Sequence, residues 1–140
     1  MHFTEMKKDL FTMPETYCLA HCISADAKMA AGIAVLFRKH FKLKSLQNMA
    51  DNSPLAVGTC YKIDRALNLV TKTKYFHKPT YQTLTQAIVS MRDICLQEGI
   101  AQLAMPQIGC GLDKLQWGQV REIIKNVFAD TEIEIVVCTL

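Results

Sequence analysis

Short apolar runs of strand length alternate with segments of helical period along almost the whole chain, and this alternation restricts the possible folds most strongly. Strands and helices that follow one another in this way are typical of proteins with a central sheet between helices. We predict an α/β fold with a mixed, mostly parallel central sheet flanked by helices on both faces. A chain of 140 residues has the usual size of one domain, so we expect a single domain over residues 1–140.

The individual elements are predicted from hydrophobic period and from the residues that begin and end them. Strands are expected at residues 2–6, 17–20, 57–63, 66–72, 101–105 and 131–139. Helices are expected at residues 29–40, 79–98 and 116–129, with irregular segments at 42–56 and 107–115. Asp64 and Arg65 separate two strands and predict a hairpin, and Gly99 stands where a helix favours a C-cap.

Composition and charge exclude several classes of protein. Half of the residues are hydrophobic, which suffices for a packed core and excludes a disordered chain. No apolar run reaches the length of about 18 residues that a membrane span needs, and early charges such as Glu5 and Lys7 argue against a signal peptide. We therefore expect a cytoplasmic protein, or also a nuclear one in a eukaryote. The net charge of +3 is too small to argue for a nucleic-acid partner.

The chain contains six cysteines. Cys18 and Cys22 are four residues apart with His21 between them, but no second pair of ligands follows at a spacing typical of zinc sites. We expect neither a metal nor a cofactor. Because cytoplasmic reductants keep thiols reduced, most of the cysteines are expected to be small core residues.

The predicted fold also indicates where a ligand binds. In open sheets of this class, ligands lie at the carboxyl ends of the strands, which here means the loops after Ala20, after residues 66–72 and after Met105. If residues 57–63 and 66–72 form a hairpin, the second strand returns to the edge from which the chain entered. Lys72 is then expected to face the same crevice as the other two loops.

Two of these loops have features that suit a phosphate group. Residues 21–34 contain a polar turn and then small residues at a helix start, where free backbone amides bind anions. Tight packing of that helix against the sheet explains the same small residues equally well. After Met105, Gly109 and Gly111 permit a nest of backbone amides that binds an anion. An ordinary turn explains the same two glycines. Together the two loops suggest a diphosphate.

Five motifs are distributed over nearly the whole chain. They are Lys8–Phe11 (KDLF), Ala20–Ser24 (AHCIS), Ala31–Phe37 (AGIAVLF), His77–Tyr81 (HKPTY) and Met105–Trp117 (MPQIGCGLDKLQW). These motifs resemble those of the macrodomains, most closely the branch of the terminal ADP-ribose protein glycohydrolase. The resemblance implies a macrodomain fold, in which ADP-ribose lies along the strand ends of a mixed sheet.

The resemblance also implies an activity and partners. It implies hydrolysis of mono-ADP-ribose esters on Glu and Asp side chains and deacylation of O-acyl-ADP-ribose. We therefore expect an ADP-ribosyl hydrolase that acts as a monomer. Its expected partners are ADP-ribose and proteins that carry ADP-ribose on Glu or Asp.

The same resemblance implies ligand-binding roles for individual positions. Asp9 matches the acid that accepts a hydrogen bond from the adenine amino group, and Leu140 matches a residue close to the adenine. The other expected ligand residues lie in or next to the matched motifs and are Leu10, His21, Ser24, Ala31, Gly32, Ile33, Ala34, Ile108, Gly109, Cys110, Gly111 and Leu112. From its position at a strand end, His21 is also interpreted as a hydrogen-bonded structural residue rather than a catalytic one.

The resemblance makes Lys72 the catalytic lysine and Asp113 the catalytic acid, and the chemistry agrees. In an ADP-ribosyl ester the anomeric carbon carries a carboxylate leaving group, and a neutral amine can capture that sugar as a Schiff base after ring opening. A carboxylate can then act as acid and base to release the sugar to water. Without the resemblance, Lys72 is interpreted as a surface lysine, and Asp113 is interpreted as a carboxylate that stabilises the start of the following helix.

Two positions depart from the family pattern. Lys8 stands where the family often has Gly, and Ala30 stands where it commonly has Gly. Because Ala adopts positive φ poorly, we expect the loop near Ala30 to differ in shape or to bind less tightly.

Two other functions remain as alternatives. Antitoxins near this branch remove ADP-ribose from thymidine in DNA, and Lys72 serves that reaction equally well, so ADP-ribosylated DNA is the alternative partner. The basic cluster at residues 39–44 is then either a solvated surface or a contact for a nucleic-acid backbone. The second alternative is a non-catalytic ADP-ribose reader, which needs the same pocket but no lysine.

Overall fold

The computed structural model describes residues 1–140, which form one six-stranded sheet and four α-helices. The strands are β1 (His2–Lys7), β2 (Cys18–Ser24), β3 (Thr59–Ile63), β4 (Ala66–Lys72), β5 (Gln102–Met105) and β6 (Glu134–Thr139). The helices are α1 (Ile33–His40), α2 (Lys44–Asn52), α3 (Tyr81–Glu98) and α4 (Trp117–Phe128), with a short 3-10 helix at Leu10–Thr12. None of these helices combines the length and the apolar character that crossing a membrane requires.

The strands lie in the order β1-β6-β5-β2-β4-β3. Neighbouring strands are parallel except β3 and β4, which form the predicted hairpin about Asp64 and Arg65. Both faces are covered, because α3 and α4 bury residues such as Ile88 on one face and α1 and α2 bury Phe37 and Leu46 on the other. The predicted α/β class and the mixed, mostly parallel sheet are confirmed.

Helix α3 begins and ends where the sequence predicts. Thr80 is its N-cap, and the side chains of Thr80 and Thr83 each accept a hydrogen bond from the other residue's backbone amide. Gly99 ends the helix in the left-handed conformation, with φ of 67°, which glycine adopts at little cost. The Thr83 hydroxyl also donates to the carbonyl of Thr71 at 2.7 Å, so the start of α3 is fixed to the end of β4.

Helix α1 is shorter than predicted, because it begins at Ile33 rather than Met29. The preceding loop has left-handed residues at Ala27, Met29 and Gly32, with φ of 50°, 48° and 64°, which a right-handed helix does not accommodate. Met29 is nevertheless buried, so its side chain fits the helical period while its backbone belongs to the loop. The prediction of helix over residues 29–32 is wrong.

Residues 42–56 were predicted to be irregular, and this prediction is also wrong, because Lys44–Asn52 form α2. The helix has nine residues, no side-chain cap and one buried residue, Leu46, so few of the usual sequence markers are present. Gln47 donates a hydrogen bond from Nε2 to the carbonyl of Ala27 at 3.0 Å. Helix α2 therefore supports the loop that precedes α1.

Candidate active site

The loops after β2, β4 and β5 meet at the carboxyl edge of the sheet. Two adjoining cavities, of about 320 and about 420 Å³, form one crevice along this edge. The residues common to both cavities are Ile33, Pro106, Gln107 and Gly111. The crevice extends from Asp9 at one end to Lys72 at the other.

Asp9, Leu10 and Leu140 line the first end of the crevice. Asp9 Oδ1 accepts a hydrogen bond from the amide of Phe11 at 3.0 Å and so caps the 3-10 helix. This contact holds the carboxylate at the rim and leaves Oδ2 available to a donor on a ligand. Leu10 is buried, whereas Leu140 is almost fully exposed.

The start of α1 forms one wall in the middle of the crevice. Gly32 precedes the helix with φ of 64°, and no side chain caps it. The amides of Ile33 and Ala34 therefore have no partner within the helix. Together with Ala31, these residues line the second cavity. Free amides at the positive end of a helix are suited to bind a phosphate group.

The glycine-containing loop after β5 forms the facing wall. A side chain at Gly32 would meet Leu112 Cδ1 at 3.3 Å, so the two walls approach closely. Gly109 adopts φ of 75°, and its carbonyl accepts a hydrogen bond from the amide of Leu115 at 2.8 Å. The residues of this loop that line the crevice are Ile108, Gly109, Cys110, Gly111, Leu112 and Asp113.

Lys72 and Asp113 meet at the second end of the crevice. Lys72 is the last residue of β4, Asp113 belongs to the glycine-containing loop, and Lys72 Nζ lies 2.6 Å from Asp113 Oδ1. The two side chains are 14% and 13% exposed, so solvent screens this pair less than it screens a surface ion pair. The fold therefore places an amine and a carboxylate at hydrogen-bond distance beside the crevice.

A β-bulge directs Lys72 toward this position. Strand β2 runs beyond its predicted end, and Ile23 faces Val70 of β4. The next residue, Ser24, faces Lys72, so Thr71 is an extra residue in β4. Side chains alternate between the faces of a regular strand, so if Thr71 were paired regularly instead of bulged, Lys72 would share the face of Val70, on the side of α1 and α2. Bulges re-aim side chains in this way and are frequent beside active sites.

Asp26, which no motif singled out, ties the loop before α1 to the segment after β4. Its Oδ1 accepts a hydrogen bond from the Ser24 hydroxyl, and its Oδ2 accepts one from the amide of Tyr75 at 3.1 Å. Burial would raise the pKa of the Asp26 carboxyl, but hydrogen bonds from Ser24, Tyr75 and Lys28 hold that pKa below its usual range. Ser24 was expected to bind ligand, but in the structure its hydroxyl is engaged by Asp26.

The HKPTY motif supports the glycine-containing loop. Lys78 Nζ donates a hydrogen bond to the carbonyl of Leu112 at 2.6 Å, and the Tyr81 hydroxyl accepts one from the amide of Gln116 at 3.1 Å. These contacts hold the loop on both sides of Asp113. Neither was predicted, because the partners are more than 30 residues apart and no local pattern links them.

His21 lines the inner part of the second cavity, and its ring is packed in the core. It is fully buried, stacks on Phe37 with ring centroids 3.7 Å apart, and its Nε2 is 2.5 Å from Asn68 Oδ1. Burial lowers the pKa of His21 from 6.5 to about 4, so the ring is neutral at pH 7. These contacts favour the structural interpretation of the ring, and the ligand-binding role of His21 stays a prediction.

Comparison with known proteins identifies the family. No family model matches the chain. Human ADP-ribose glycohydrolase OARD1 is 46% identical over 139 residues, an alignment that covers 98% of this chain and 91% of the relative. The macrodomain of Thermus aquaticus DarG superposes on 99% of this chain and 98% of its own, with a TM-score of 0.89 at 17% identity. This chain belongs to the macrodomain family. The resemblance drawn from the motifs is confirmed.

The structure of Thermosipho africanus DarTG in complex with ADP-ribose also superposes on this macrodomain. The match covers 98% of this chain and 41% of the other, with a TM-score of 0.83 at 19% identity. At such low identity the likeness supports the fold alone.

The loop before α1 shows how this macrodomain accommodates Ala30. Left-handed backbone occurs at Met29 and Gly32, on either side, and not at Ala30. The replacement of Gly by Ala is therefore compatible with the backbone, and weaker binding stays a prediction.

Three cysteines border the crevice of this macrodomain, Cys22, Cys110 and Cys138. Burial raises the pKa of all three thiols, and the charge of Asp113 adds to this rise at Cys22 and Cys110. Because the thiolate is the nucleophilic form, none of the three is activated as a nucleophile near neutral pH.

Proposed function

We propose that this macrodomain hydrolyses ADP-ribosyl esters, removing mono-ADP-ribose from Glu and Asp side chains and deacylating O-acyl-ADP-ribose. The pair of Lys72 and Asp113, at the end of a crevice with two amide-bearing walls, carries the proposal. A protein that only reads ADP-ribose needs the crevice but no nucleophile at its end. Relatives at 46% identity are named ADP-ribose glycohydrolases, which supports hydrolysis.

The order of groups along the crevice matches the order of groups in ADP-ribose. We assign the adenine to the end lined by Asp9, Leu10 and Leu140, where the carboxylate can accept an amino hydrogen. The diphosphate is assigned to the amides of α1 and of the glycine-containing loop. The distal ribose then lies beside Lys72 and Asp113.

In the first step Lys72 is the nucleophile. Asp113 Oδ1 lies 2.6 Å from Nζ and accepts the proton that the ammonium must lose. The neutral amine attacks the anomeric carbon of the distal ribose while the bond from that carbon to the ester oxygen breaks. The oxygen keeps the bonding electrons, so the Glu or Asp side chain leaves as a carboxylate.

In the second step the sugar returns to water. The attached nitrogen gives a proton to bulk water, the ring oxygen takes the proton held by Asp113 as the ring opens, and the nitrogen lone pair forms a protonated Schiff base. Water adds to the same carbon and gives its proton to Asp113. Asp113 passes this proton to the nitrogen, and the carbon–nitrogen bond breaks as the hydroxyl on that carbon gives its own proton to Asp113 and becomes the aldehyde of ADP-ribose. The proton then returns to the free Lys72 amine, which restores the starting pair.

Three substrates test this proposal: a protein ADP-ribosylated on Glu, a protein ADP-ribosylated on Ser, and DNA that carries ADP-ribose on thymidine. We expect release from Glu but not from Ser, because an alkoxide is a much poorer leaving group than a carboxylate. Release from the thymidine substrate alone would instead make the protein a DNA ADP-ribosyl hydrolase of the antitoxin type. Binding of ADP-ribose without release from any substrate would make the protein a reader.

A further inference from the structure

A small recess adjoins the catalytic end of the crevice and carries two exposed aromatic side chains. The recess has a volume of about 150 Å³ and includes Lys72, Asp113, Tyr75 and Phe76 among its lining residues. Tyr75 is 57% exposed and Phe76 is 66% exposed. Neither belongs to a matched motif, and the proposed ADP-ribose site does not use them. We call these two residues the aromatic rim.

The position of the aromatic rim relates it to the bond that is cleaved. ADP-ribose is assigned to the crevice from Asp9 to Lys72, and the recess shares Lys72 and Asp113 with that crevice but reaches residues that the crevice does not. The acceptor, meaning the group attached to the anomeric carbon, must therefore project from the crevice beside Lys72. The recess and its rim are the surface available there.

The backbone of the aromatic rim is held in place by hydrogen bonds. The Tyr75 amide donates to Asp26 Oδ2 at 3.1 Å, and Lys78 is anchored to the glycine-containing loop through Leu112. The Tyr75 and Phe76 rings pack edge to face with centroids 5.3 Å apart. An apolar surface that is already ordered loses little entropy when a partner covers it.

The charges around the aromatic rim favour a negatively charged partner. No Asp or Glu occurs between Arg65 and Arg92, whereas Lys74 directly precedes Tyr75. The backbone of Lys28 is also close to that of Tyr75, because the two backbone amides both donate to the Asp26 carboxylate. That carboxylate keeps its negative charge, but the two lysines outnumber it, so this region has a net charge of +1.

The geometry of the rings favours a polypeptide over a nucleic acid. Tyr75 lies at 86° to Phe76, and Phe76 lies at 75° to His77. Edge-to-face rings form a ridge and leave no parallel gap into which a base could insert, whereas single-strand binding surfaces rely on base stacking. Apolar side chains of a peptide can pack on either flank of such a ridge.

We infer that Tyr75 and Phe76, with Lys28 and Lys74, form an acceptor subsite for an acidic polypeptide segment that carries the ADP-ribosylated Glu or Asp. The inference rests on the proposed function and names the part of the substrate that it recognises. Aromatic contact supplies affinity, and the two lysines select carboxylates that flank the modified residue.

The test compares two substrates with the same distal ribose. One is an acidic peptide ADP-ribosylated on Glu, and the other is O-acetyl-ADP-ribose, which has no polypeptide. In the double variant Y75A/F76A, kcat/KM for the peptide should fall at least about tenfold, the usual effect of losing an aromatic anchor. For O-acetyl-ADP-ribose, kcat/KM should change less than about twofold. L96A, which truncates an exposed side chain on α3, is the matched control and should change neither value.

Charge reversal supplies a second measurement. The double variant K28E/K74E should lower kcat/KM for the acidic peptide more than for a peptide with neutral flanking residues. Equal losses on peptide and O-acetyl-ADP-ribose would overturn the inference, because they would mean that the rim only positions Lys72. No loss on the peptide, or a loss confined to thymidine-linked single-stranded DNA, would overturn it as well. If the wild-type protein cleaves neither ester, the proposed function itself fails, which is a separate result.

Discussion

At the scale of single residues, the proposed chemistry needs an amine and a carboxylate that two separate elements bring within 2.6 Å. Lys72 contributes the atom that bonds to the sugar, whereas Asp113 only moves protons. The two residues are therefore not equivalent, although they form one ion pair. Loss of Lys72 removes the covalent intermediate altogether. Loss of Asp113 leaves the nucleophile, which can still give its proton to water and attack, but it slows release of the sugar, so the intermediate accumulates.

The variants K72A and D113A should fail in different ways. K72A should lose hydrolysis of Glu-linked ADP-ribose while still binding ADP-ribose. D113A should accumulate a covalent sugar adduct on Lys72 that intact-mass spectrometry detects after incubation with ADP-ribose. Turnover of K72A near the wild-type rate, or the absence of an adduct in every variant, would favour direct attack by water.

Replacement of Asp9 should weaken ADP-ribose binding. Asp9→Ala removes a charged hydrogen-bond acceptor, which costs about 1–3 kcal/mol of binding free energy by calorimetry. Because Asp9 also caps a 3-10 helix, Asp9→Asn is the matched variant: it keeps a capping oxygen but loses the charge. Asn should preserve the thermal midpoint and still weaken binding. Unchanged affinity in both variants would remove Asp9 from the site.

His21 should make the folded protein sensitive to acid. The pKa of His21 is lowered from 6.5 to about 4 by burial, so below pH 6.5 the unfolded chain takes up a proton that the folded protein resists. The contribution of His21 to the free energy of unfolding is thus present above pH 6.5 and is lost as the pH falls toward 4, by about 3 kcal/mol in all. Urea unfolding at several pH values should show a shallower loss in His21→Gln. Parallel pH profiles for the two proteins would contradict this account.

At the scale of elements, the crevice depends on how loops are joined rather than on the helices themselves. Gly32 turns the chain into α1 with φ of 64°, and the same residue faces Leu112 across the crevice. A side chain there is strained by its backbone and meets the opposite wall. Gly118, by contrast, lies inside α4 with nothing within 4 Å of an added Cβ atom.

These two glycines form a matched pair of tests. Gly32→Ala should reduce ADP-ribose affinity at least about tenfold and lower the free energy of unfolding by about 1 kcal/mol, because left-handed backbone disfavours a Cβ atom. Gly118→Ala should raise that free energy by about 0.5–1 kcal/mol, because Ala favours a helix interior. Binding by Gly118→Ala should be unchanged. Equal effects of the two variants on affinity would show that the contact with Leu112 is irrelevant.

Elements with complete local markers could be predicted from the sequence, and those without them could not. Thr80 and Gly99 mark both ends of α3, whereas α2 has no capping side chain and one buried residue. The crevice followed from the strand-end rule, but the roles of Lys72 and Asp113 came from the resemblance. Asp26 was missed because its contact with Tyr75 joins positions 49 residues apart.

At the scale of the whole molecule, the modest net charge conceals an uneven distribution. Residues 27–50 and 65–92 contain ten of the 16 Lys and Arg residues and none of the 13 Asp and Glu residues. These segments supply α1, most of α2, β4 and the aromatic rim, which border the assigned positions of the diphosphate and the acceptor. An anionic substrate therefore approaches a positive region of the surface, although the chain as a whole is nearly neutral.

The extra residue in β4 bears on how such enzymes can change over evolutionary time. The hydroxyl of Thr71 has no hydrogen-bond partner, and loss of its codon would place Lys72 directly after Val70. Lys72 would then still pair with Ser24 and stay on the face opposite Val70, where it already lies. The walls of the crevice belong to other segments and would remain. A deletion of Thr71 should therefore leave both ADP-ribose binding and release from a Glu-linked protein in place, whereas loss of release alone would refute the idea. A strand of this kind can lose one codon over evolutionary time without losing its lysine.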